Sequence, residues 1–319
     1  MYFVESFVIL FAFLYVLYVF YSIKIRLCKR CGGFFLDFLC KNRIMCLCVI
    51  TRGMDMVRRL FIFAAWDRDN IVDGACLFYL RELSKCGDVI FVADNDLTSD
   101  ELDGVLSVPN VLYADAVQHG EYDFGSYKRG FAWARDAKIL GKYDGVYFVN
   151  DSVYGPIGDL EDVLVQLEGA GHEFVGMVTN SDKNILPHVQ SWFMGIGRNI
   201  VDASYVHSFF DGIKKLENKS QICIQYEVGF SELMKSHGVD FVTRFVQFNH
   251  RSNVVYRRPY RALRRGVPFI KKSGLKNMFG FDFVARYVKN PKLMNAIREN
   301  ALRYNVQFRR QGWIRRIFK

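Results

Sequence analysis

Several features are scarce in this chain, and each scarcity narrows what it can be. Six prolines in 319 residues and no low-complexity stretch leave no room for a string of flexibly linked modules. The length suits one sizeable domain with appendages. No histidine precedes His119, so the cysteines at 28, 31, 40, 46 and 48 have no imidazole nearby. Cys28-x-x-Cys31 and Cys46-x-Cys48 match no zinc-ribbon spacing. Reduced, unpaired thiols are therefore the expectation, with lipidation as the other chemistry open to them. Charge is almost missing from Met1 to Ile23, where Glu5 stands alone. Acid is almost missing from residues 250–319, which hold nineteen Lys or Arg against Asp282 and Glu299, a net +17 in a chain of net +10. No helix-turn-helix, zinc-finger or RNA-binding aromatic motif accompanies that basic stretch, so nucleic acid is not an expected partner.

What is present at the two ends points to a membrane. The run from Met1 to Ile23 meets the ~20-residue requirement for crossing a bilayer. Lys24, Arg26, Lys29, Arg30, Lys41 and Arg43 follow it, so the positive-inside rule puts the N-terminus outside and the body in the cytoplasm. A cleaved signal peptide would need a basic start and a small-residue cleavage site, and neither occurs. A start near Met45 or Met54 is the remaining alternative. The chain ends Gly-Trp-Ile-Arg-Arg-Ile-Phe-Lys, which mixes apolar anchors with cations as an interfacial segment does. Anionic lipids would hold such a stretch by ~1 kcal/mol per basic residue. A solvated basic tail is the plainer alternative.

Between the ends, strand and helix patterns alternate. Arg59–Ala65 reads as a buried strand. Asp73 caps a helix running to about Cys86, with Leu77, Leu80 and Leu83 on its apolar face. Val89–Ala93 is a second strand, followed by a short helix near 98–106 and a strand at Val111–Tyr113. A helix at about 125–140 precedes a strand at 146–149, and helix 158–168 leads to Phe174–Val178. This order predicts an α/β fold with a mainly parallel sheet and helices on both faces. Strands buried on both faces should be apolar throughout, as these are.

Residues 143–156, Tyr-Asp-Gly-Val-Tyr-Phe-Val-Asn-Asp-Ser-Val-Tyr-Gly-Pro, say most about chemistry. A short apolar strand stops at Asn150, Asp151 and Ser152. Ligands of open α/β sheets bind beyond the carboxyl ends of strands. A hard oxygen ligand there, Asp151, can hold Mg²⁺ or Mn²⁺ against a nucleotide diphosphate. A simple turn with Asp151 and Ser152 bonded to nearby backbone is the alternative. Upstream stands Tyr-Asp-Phe-Gly-Ser-Tyr-Lys-Arg-Gly (122–130). Downstream stand His-Val-Gln-Ser-Trp-Phe-Met (188–194) and Tyr226-Glu227-Val228-Gly229. In this order and at these separations, the blocks resemble the rhamnan synthesis F family of glycosyltransferases, over roughly residues 58–275. The resemblance implies a GT-A-like fold and transfer of a sugar, typically rhamnose, from a nucleotide-sugar donor. Many GT-A enzymes carry Asp-x-Asp where this chain has Asn150-Asp151-Ser152, so one carboxylate stands where two are usual.

Candidate site residues follow. Asp67, after the first strand, could accept the N3–H of thymine or uracil or bind ribose, while Asp69 and Asp73 cap the next helix. Asp94 opens a literal Asp-x-Asp after the second strand and is assigned to nucleotide contact. Gly125-Ser126 is expected to open a helix whose N-terminal amides, with Lys128 or Arg129, suit a diphosphate. Matching the family blocks, Asn150 and Ser152 would flank the donor, and His188, Gln190, Ser191 and Tyr226 would bind donor sugar or acceptor. His188 and Gln190 are expected on one face of a strand. Gly195-x-Gly197 lacks the third glycine of a dinucleotide fingerprint. An inverting transfer needs a carboxylate to take the acceptor proton. Glu227, expected near a helix start, is the first choice, its plainer role being to complement the helix dipole. Pro268-Phe269-Ile270-Lys271-Lys272 resembles a block of capsule and polysaccharide transferases, and Lys271 or Lys272 could meet a lipid pyrophosphate.

The expected layout is a transmembrane anchor (1–23), a basic juxtamembrane segment (24–57), a catalytic domain (58–249) and a basic membrane- or acceptor-associated segment (250–319). The resemblance implies a cytoplasm-facing enzyme of a bacterial inner membrane, using dTDP-rhamnose and a lipid-linked glycan, with Mg²⁺ or Mn²⁺ at Asp151. A sugar-phosphate transferase or nucleotidyltransferase of similar fold, and a non-catalytic membrane-bound adaptor, are the rivals.

Overall fold

A computed structural model describes residues 57–182, 185–246 and 253–309, with the backbone of two strands further upstream. Those strands, β1 (Phe35–Cys40) and β2 (Arg43–Cys48), pair antiparallel as a hairpin with Phe35 opposite Cys48. The anchor expected at 1–23, the side chains of the cysteine-bearing segment and the closing residues 310–319 lie outside the described residues. Among the described residues no helix is long and apolar enough to cross a membrane.

From Val57 onward the chain builds one unit around an eight-stranded sheet. Its strands are β3 (Arg59–Ala65), β4 (Asp88–Ala93), β5 (Val111–Ala116), β6 (Gly145–Asn150), β8 (Phe174–Asp182), β9 (Ile185–Val189), β10 (Phe193–Gly197) and β11 (Phe241–Val246). β7 (Val153–Tyr154) stands apart and pairs elsewhere. The sheet order is β11-β8-β10-β6-β3-β4-β5, with β9 on β8. β6, β3, β4 and β5 run parallel, whereas β10 runs against both its neighbours. The result is a mixed α/β fold whose sheet is mostly parallel.

Alternation along the strands divides the core into two layers. Phe61, Phe63 and Phe91 face one side with helices α1 (Gly74–Leu83), α2 (Ser99–Leu106) and α4 (Leu160–Glu168). Leu60, Ile62 and Ile90 face the other with α3 (Tyr122–Asp136), α5 (Ser204–Asp211) and α6 (Gly229–Ser236). Each buried Phe of these layers is worth about 1.5–3 kcal/mol of transfer free energy. Gly130 allows α3 to lie close on β3, since a Cβ there would come within 2.5 Å of Ile62.

A third layer uses the C-terminal stretch. Helix α7 (Pro291–Arg303) buries Leu293, Met294 and Ile297 with Ala75 of α1 and Tyr154 of β7. α1 is thereby enclosed on two sides: Tyr79, Leu80 and Leu83 face the sheet while Ala75 and Phe78 meet the α7 layer. This explains why Leu77, expected on its apolar face, is only half-buried. The short strand β12 (Ile270–Lys271) pairs antiparallel with β7, Ile270 opposite Tyr154.

Three local expectations need correction. The helix expected from Gly125 opens at Tyr122, because the buried stripe Phe124, Tyr127, Phe131, Ala134 begins before the glycine. It stops at Asp136, and Lys138 takes a positive φ of 55°. The expected strand through His188 and Gln190 is broken: β9 ends at Val189, and Gln190-Ser191-Trp192 form a turn before β10. Trp192 Nε1 donates to Gln190 Oε1 at 2.6 Å, holding that turn. Tyr226 and Glu227 sit within a π-helical turn, Cys223–Val228, already preceded by a helical turn at Lys219–Ile222. Glu227 therefore has no exposed helix N-terminus to complement.

Candidate active site

The ends of β3, β4 and β6 share one edge of the sheet, and the β9–β10 turn joins them because Phe193 pairs with Val149. Three clusters of polar side chains collect there.

The first lies beyond β6. The Lys272 ammonium sits 3.1 Å from Asp151 Oδ2, and Lys271 Nζ donates to Ser152 Oγ at 2.8 Å. The amide of Asn150 donates to Asp123 Oδ2 at 2.7 Å, and its oxygen accepts from the Ser152 N–H at 3.1 Å and from the Ser152 hydroxyl. Lys271 ends β12 and Lys272 follows it, both clamped to the segment just past the carboxylate: Lys271 faces Val153, and the Lys272 N–H donates to the Ser152 carbonyl at 2.9 Å. Gly155 makes the clamp possible, since a Cβ would stand 2.7 Å from the Pro268 carbonyl and 2.5 Å from Phe269. Burial, reinforced by Asp151, pushes the Asp123 carboxyl up to about 6. Burial also pulls Lys271 down to about 8, against the attraction of Asp123 and Glu227. Burial works against the charge on Lys272, but Asp151 and Asp73 outweigh it and hold that ammonium above the ordinary lysine range.

The second cluster centres on Glu227. Its Oε2 accepts from the Ser191 N–H at 2.7 Å and the Ser191 hydroxyl at 2.5 Å. Its Oε1 lies 3.5 Å from Cys223 Sγ and 3.2 Å from His188 Nε2, an ion-pair distance off the line of a good hydrogen bond. His188 Nδ1 is spent on the Leu186 carbonyl at 2.8 Å. Burial opposes the Glu227 charge, yet His188 and Ser191 overcome it and bring the carboxyl down to about 2. His188 is raised above its ordinary value by the same contact, again against burial. Tyr127 ties this cluster to α3 by donating to the Ser191 carbonyl at 2.8 Å.

The third cluster lies beyond β3. Arg303 of α7 grips Asp67 with two bonds of 2.7 and 2.5 Å and reaches Asp69 and Asp73 at 2.7 and 2.9 Å. Asp67 also accepts from Tyr304 at 3.0 Å and from its own turn at the Asp69 N–H. Beside it a crevice opens between β3 and β4, lined by Trp66, Asp67, Val72, Asn95 and Leu97 and reaching Asp151. Trp66 is 52% exposed at its mouth.

The structure thus brings Asn150, Asp151, Ser152, Lys271 and Lys272 into one cluster, with His188, Ser191 and Glu227 in a second. Other expected residues are engaged structurally. Tyr226 is buried, and its hydroxyl both donates to and accepts from the Lys214 backbone at 2.9 Å. Gln190 is bound to Trp192. Ser126 lies inside α3, not at its start, and meets His119 at 3.1 Å. Lys128 donates to the Ile213 carbonyl and Arg129 to Glu121. Asp94 pins the loop before α3 by accepting from the Gly120 N–H. Two residues escaped the sequence reading. Asp123 stands within a quoted block, where the neighbouring Lys128 and Arg129 drew attention instead. Arg303, in the basic stretch, lies 236 residues from Asp67 and carries no local signal.

A sequence profile of the family described as rhamnan synthesis protein F matches residues 89–310. The virulence protein VirA of Vibrio anguillarum (strain ATCC 68554 / 775) is 25% identical over 189 residues, which cover 49% of this chain and 60% of VirA. The chain thus spans about 60% of the length of the curated relatives it matches. Among solved structures, the glycosyltransferase GlyE of Streptococcus pneumoniae TIGR4 is 11% identical with a TM-score of 0.41, covering 81% of this chain and 66% of GlyE. A putative nucleotide-diphospho-sugar transferase of Desulfovibrio desulfuricans G20 is 16% identical with a TM-score of 0.35, covering 66% of this chain and 95% of that protein.

Proposed function

The chain belongs to the rhamnan synthesis protein F family, and from that premise we propose that it is a GT-A-like glycosyltransferase using a nucleotide-sugar donor. One observation carries the reading: two lysines and two carboxylates meet at the carboxyl end of β6, beside a crevice between β3 and β4. That edge is where open α/β sheets bind ligands. The base and ribose would lie over the mouth of the crevice, with Trp66 available for stacking. The diphosphate would lie over Lys271 and Lys272, and the sugar would face Asp123. dTDP-rhamnose is the donor that the family description favours. A lipid-linked glycan at a cytoplasmic membrane face is the acceptor, supported by the apolar run at 1–23 and the basic stretch after residue 250.

Sugar transfer with inversion asks for a base on the acceptor side. Glu227 is the proposed base, with His188 and Ser191 fixing its direction. A second reading has its own support: Asp123, raised to about 6, is a better proton acceptor at neutral pH than a carboxylate held at about 2. Among the described residues its Oδ1 takes no hydrogen bond.

The divalent cation that the resemblance implied at Asp151 does not fit the residues there. Mg²⁺ and Mn²⁺ at nucleotide sites take phosphate and water oxygens together with at least one carboxylate that is free to bind. Asp151 offers one carboxylate, already paired with Lys272, and Asn150 has spent its amide on Asp123 and Ser152. His188, Cys223 and Glu227 do bring ligand atoms within 4.8 Å of one another, but this group excludes Asp151. Burial and Glu227 push its thiol up to about 12.

A panel of nucleotide sugars, dTDP-rhamnose first, tests the proposal. The expected products are a rhamnosylated acceptor and a nucleoside diphosphate. Release of a nucleoside monophosphate would turn the reading to sugar-phosphate transfer, and no turnover of any donor would overturn it.

A further inference from the structure

The lysines beyond β6 are unequal. Lys272 has Asp151 as its counter-ion at 3.1 Å. Lys271 donates to the neutral Ser152 hydroxyl and stands 5.6 Å from the Trp192 ring. Among the described residues no carboxylate lies within ion-pair reach of its ammonium. A half-buried cation without an anion is an unfinished pair, because buried charge is costly unless compensated. A ligand anion would complete it. Lys272 already gives Asp151 the positive partner that a metal would otherwise supply, and the two ammonium groups together carry the charge of one divalent ion.

We infer that Lys271 and Lys272 hold the donor diphosphate directly, so that transfer proceeds without a divalent cation at Asp151. The inference rests on the sugar-transfer reading above. In that reaction the bond from sugar C1 to the β-phosphate oxygen breaks, and its electron pair leaves with the oxygen. The acceptor oxygen bonds to C1, and its proton passes to the enzymic carboxylate. The departing nucleoside diphosphate gains one negative charge. Two preset ammonium groups stabilise that charge as it develops, the role a metal plays elsewhere. Asp151 then positions Lys272, and Ser152 positions Lys271.

The test uses the full chain, purified in detergent and stripped of metal. dTDP binding is followed by calorimetry in EDTA, and again with added Mg²⁺ or Mn²⁺. dTDP should bind in EDTA within about threefold of its affinity with metal. Lys271→Met should weaken binding at least tenfold and lower turnover about 10²–10³-fold, the usual effect of removing one such donor. Lys271→Arg should recover part of both. Lys272→Met strands Asp151 and can unfold the protein, so Lys271→Met, which leaves that ion pair whole, decides. Binding that requires Mg²⁺ or Mn²⁺ would overturn the inference and leave the transferase reading standing. EDTA-resistant binding unchanged in Lys271→Met would overturn it too, because the charge would then come from elsewhere. No dTDP binding and no turnover of any nucleotide sugar, with or without metal, would overturn both.

Discussion

Two groups of aspartates sit at the same edge of the sheet and have opposite uses. Beyond β3, Asp67 has both oxygens filled by Arg303, Tyr304 and its own turn, and Asp73 caps α1 while also meeting Arg303. Beyond β6, among the described residues, Asp123 keeps an oxygen free, and no carboxylate lies within ion-pair reach of Lys271. The first group is a latch that closes the C-terminal layer onto the sheet. The second leaves hydrogen-bonding capacity unspent beside carboxyl and ammonium groups of shifted acidity, which marks it as a candidate site. Residue type does not distinguish the two, since both are aspartates gathered at the carboxyl ends of the strands. The counter-ion does: a rigid two-pronged guanidinium in one case, separate point-charge ammonium groups in the other.

Substitutions can break this comparison, beginning with the largest effect. Glu227→Gln should lower turnover about 10²–10⁴-fold, the usual share of a general base, while calorimetry shows donor still bound. Near-normal turnover would hand the role to Asp123. Arg303→Ala should strand Asp67 and Asp73 and cost about 2–4 kcal/mol in denaturant unfolding. That is less than for a fully buried pair, since the Arg303 side chain is 21% exposed. Asp123→Asn should cost under about 1 kcal/mol in the same measurement yet impair turnover. Equal destabilisation by both would erase the distinction between latch and site.

Acidity sharpens it further. The Glu227 carboxyl is depressed from 4.5 to about 2, so its pairing stabilises the fold above pH 4.5 and is lost as pH falls through about 2. As a base it would give no acidic limb in turnover at ordinary pH. Asp123, raised to about 6, would give one: turnover should fall about tenfold per pH unit below that value. A pH–rate profile from 5 to 9 separates the two. The smallest effect is expected from the basic end. Binding to anionic vesicles should weaken with salt, because exposed charges are screened beyond ~10 Å at 0.1 M, and deleting residues 310–319 should reduce it. Equal binding to neutral vesicles would reject a lipid-facing role.

Much of the fold was legible in the order of residues because the forces that choose it are local. β3 and β4 are seven- and six-residue apolar strands buried on both faces, and period and length suffice to read them. Asp73, Thr98 and Asp159 cap α1, α2 and α4 by accepting an N–H two or three residues on. The polar stop at Asn150-Asp151-Ser152 marked the site for the same reason: a strand buried on both faces turns polar only where it leaves the sheet. The misreadings also have local causes. His188 to Phe193 alternates polar and apolar like a strand, but the Gln190–Trp192 bond turns it.

Sequence by itself therefore determined the strand and helix order as far as Val178, the edge of the sheet where chemistry could sit, and the family. Tertiary structure alone decided which charges pair. Lys271 and Lys272 reach residues 119 and 121 positions away, and Arg303 reaches Asp67 across 236. Neither distance leaves a trace in local pattern, because an ion pair depends on where the chain returns and hydrophobic periodicity depends only on neighbours. That return converts Asp67, a plausible base-binding residue in sequence, into part of a latch, and turns Asp151 from a lone metal ligand into the partner of a lysine.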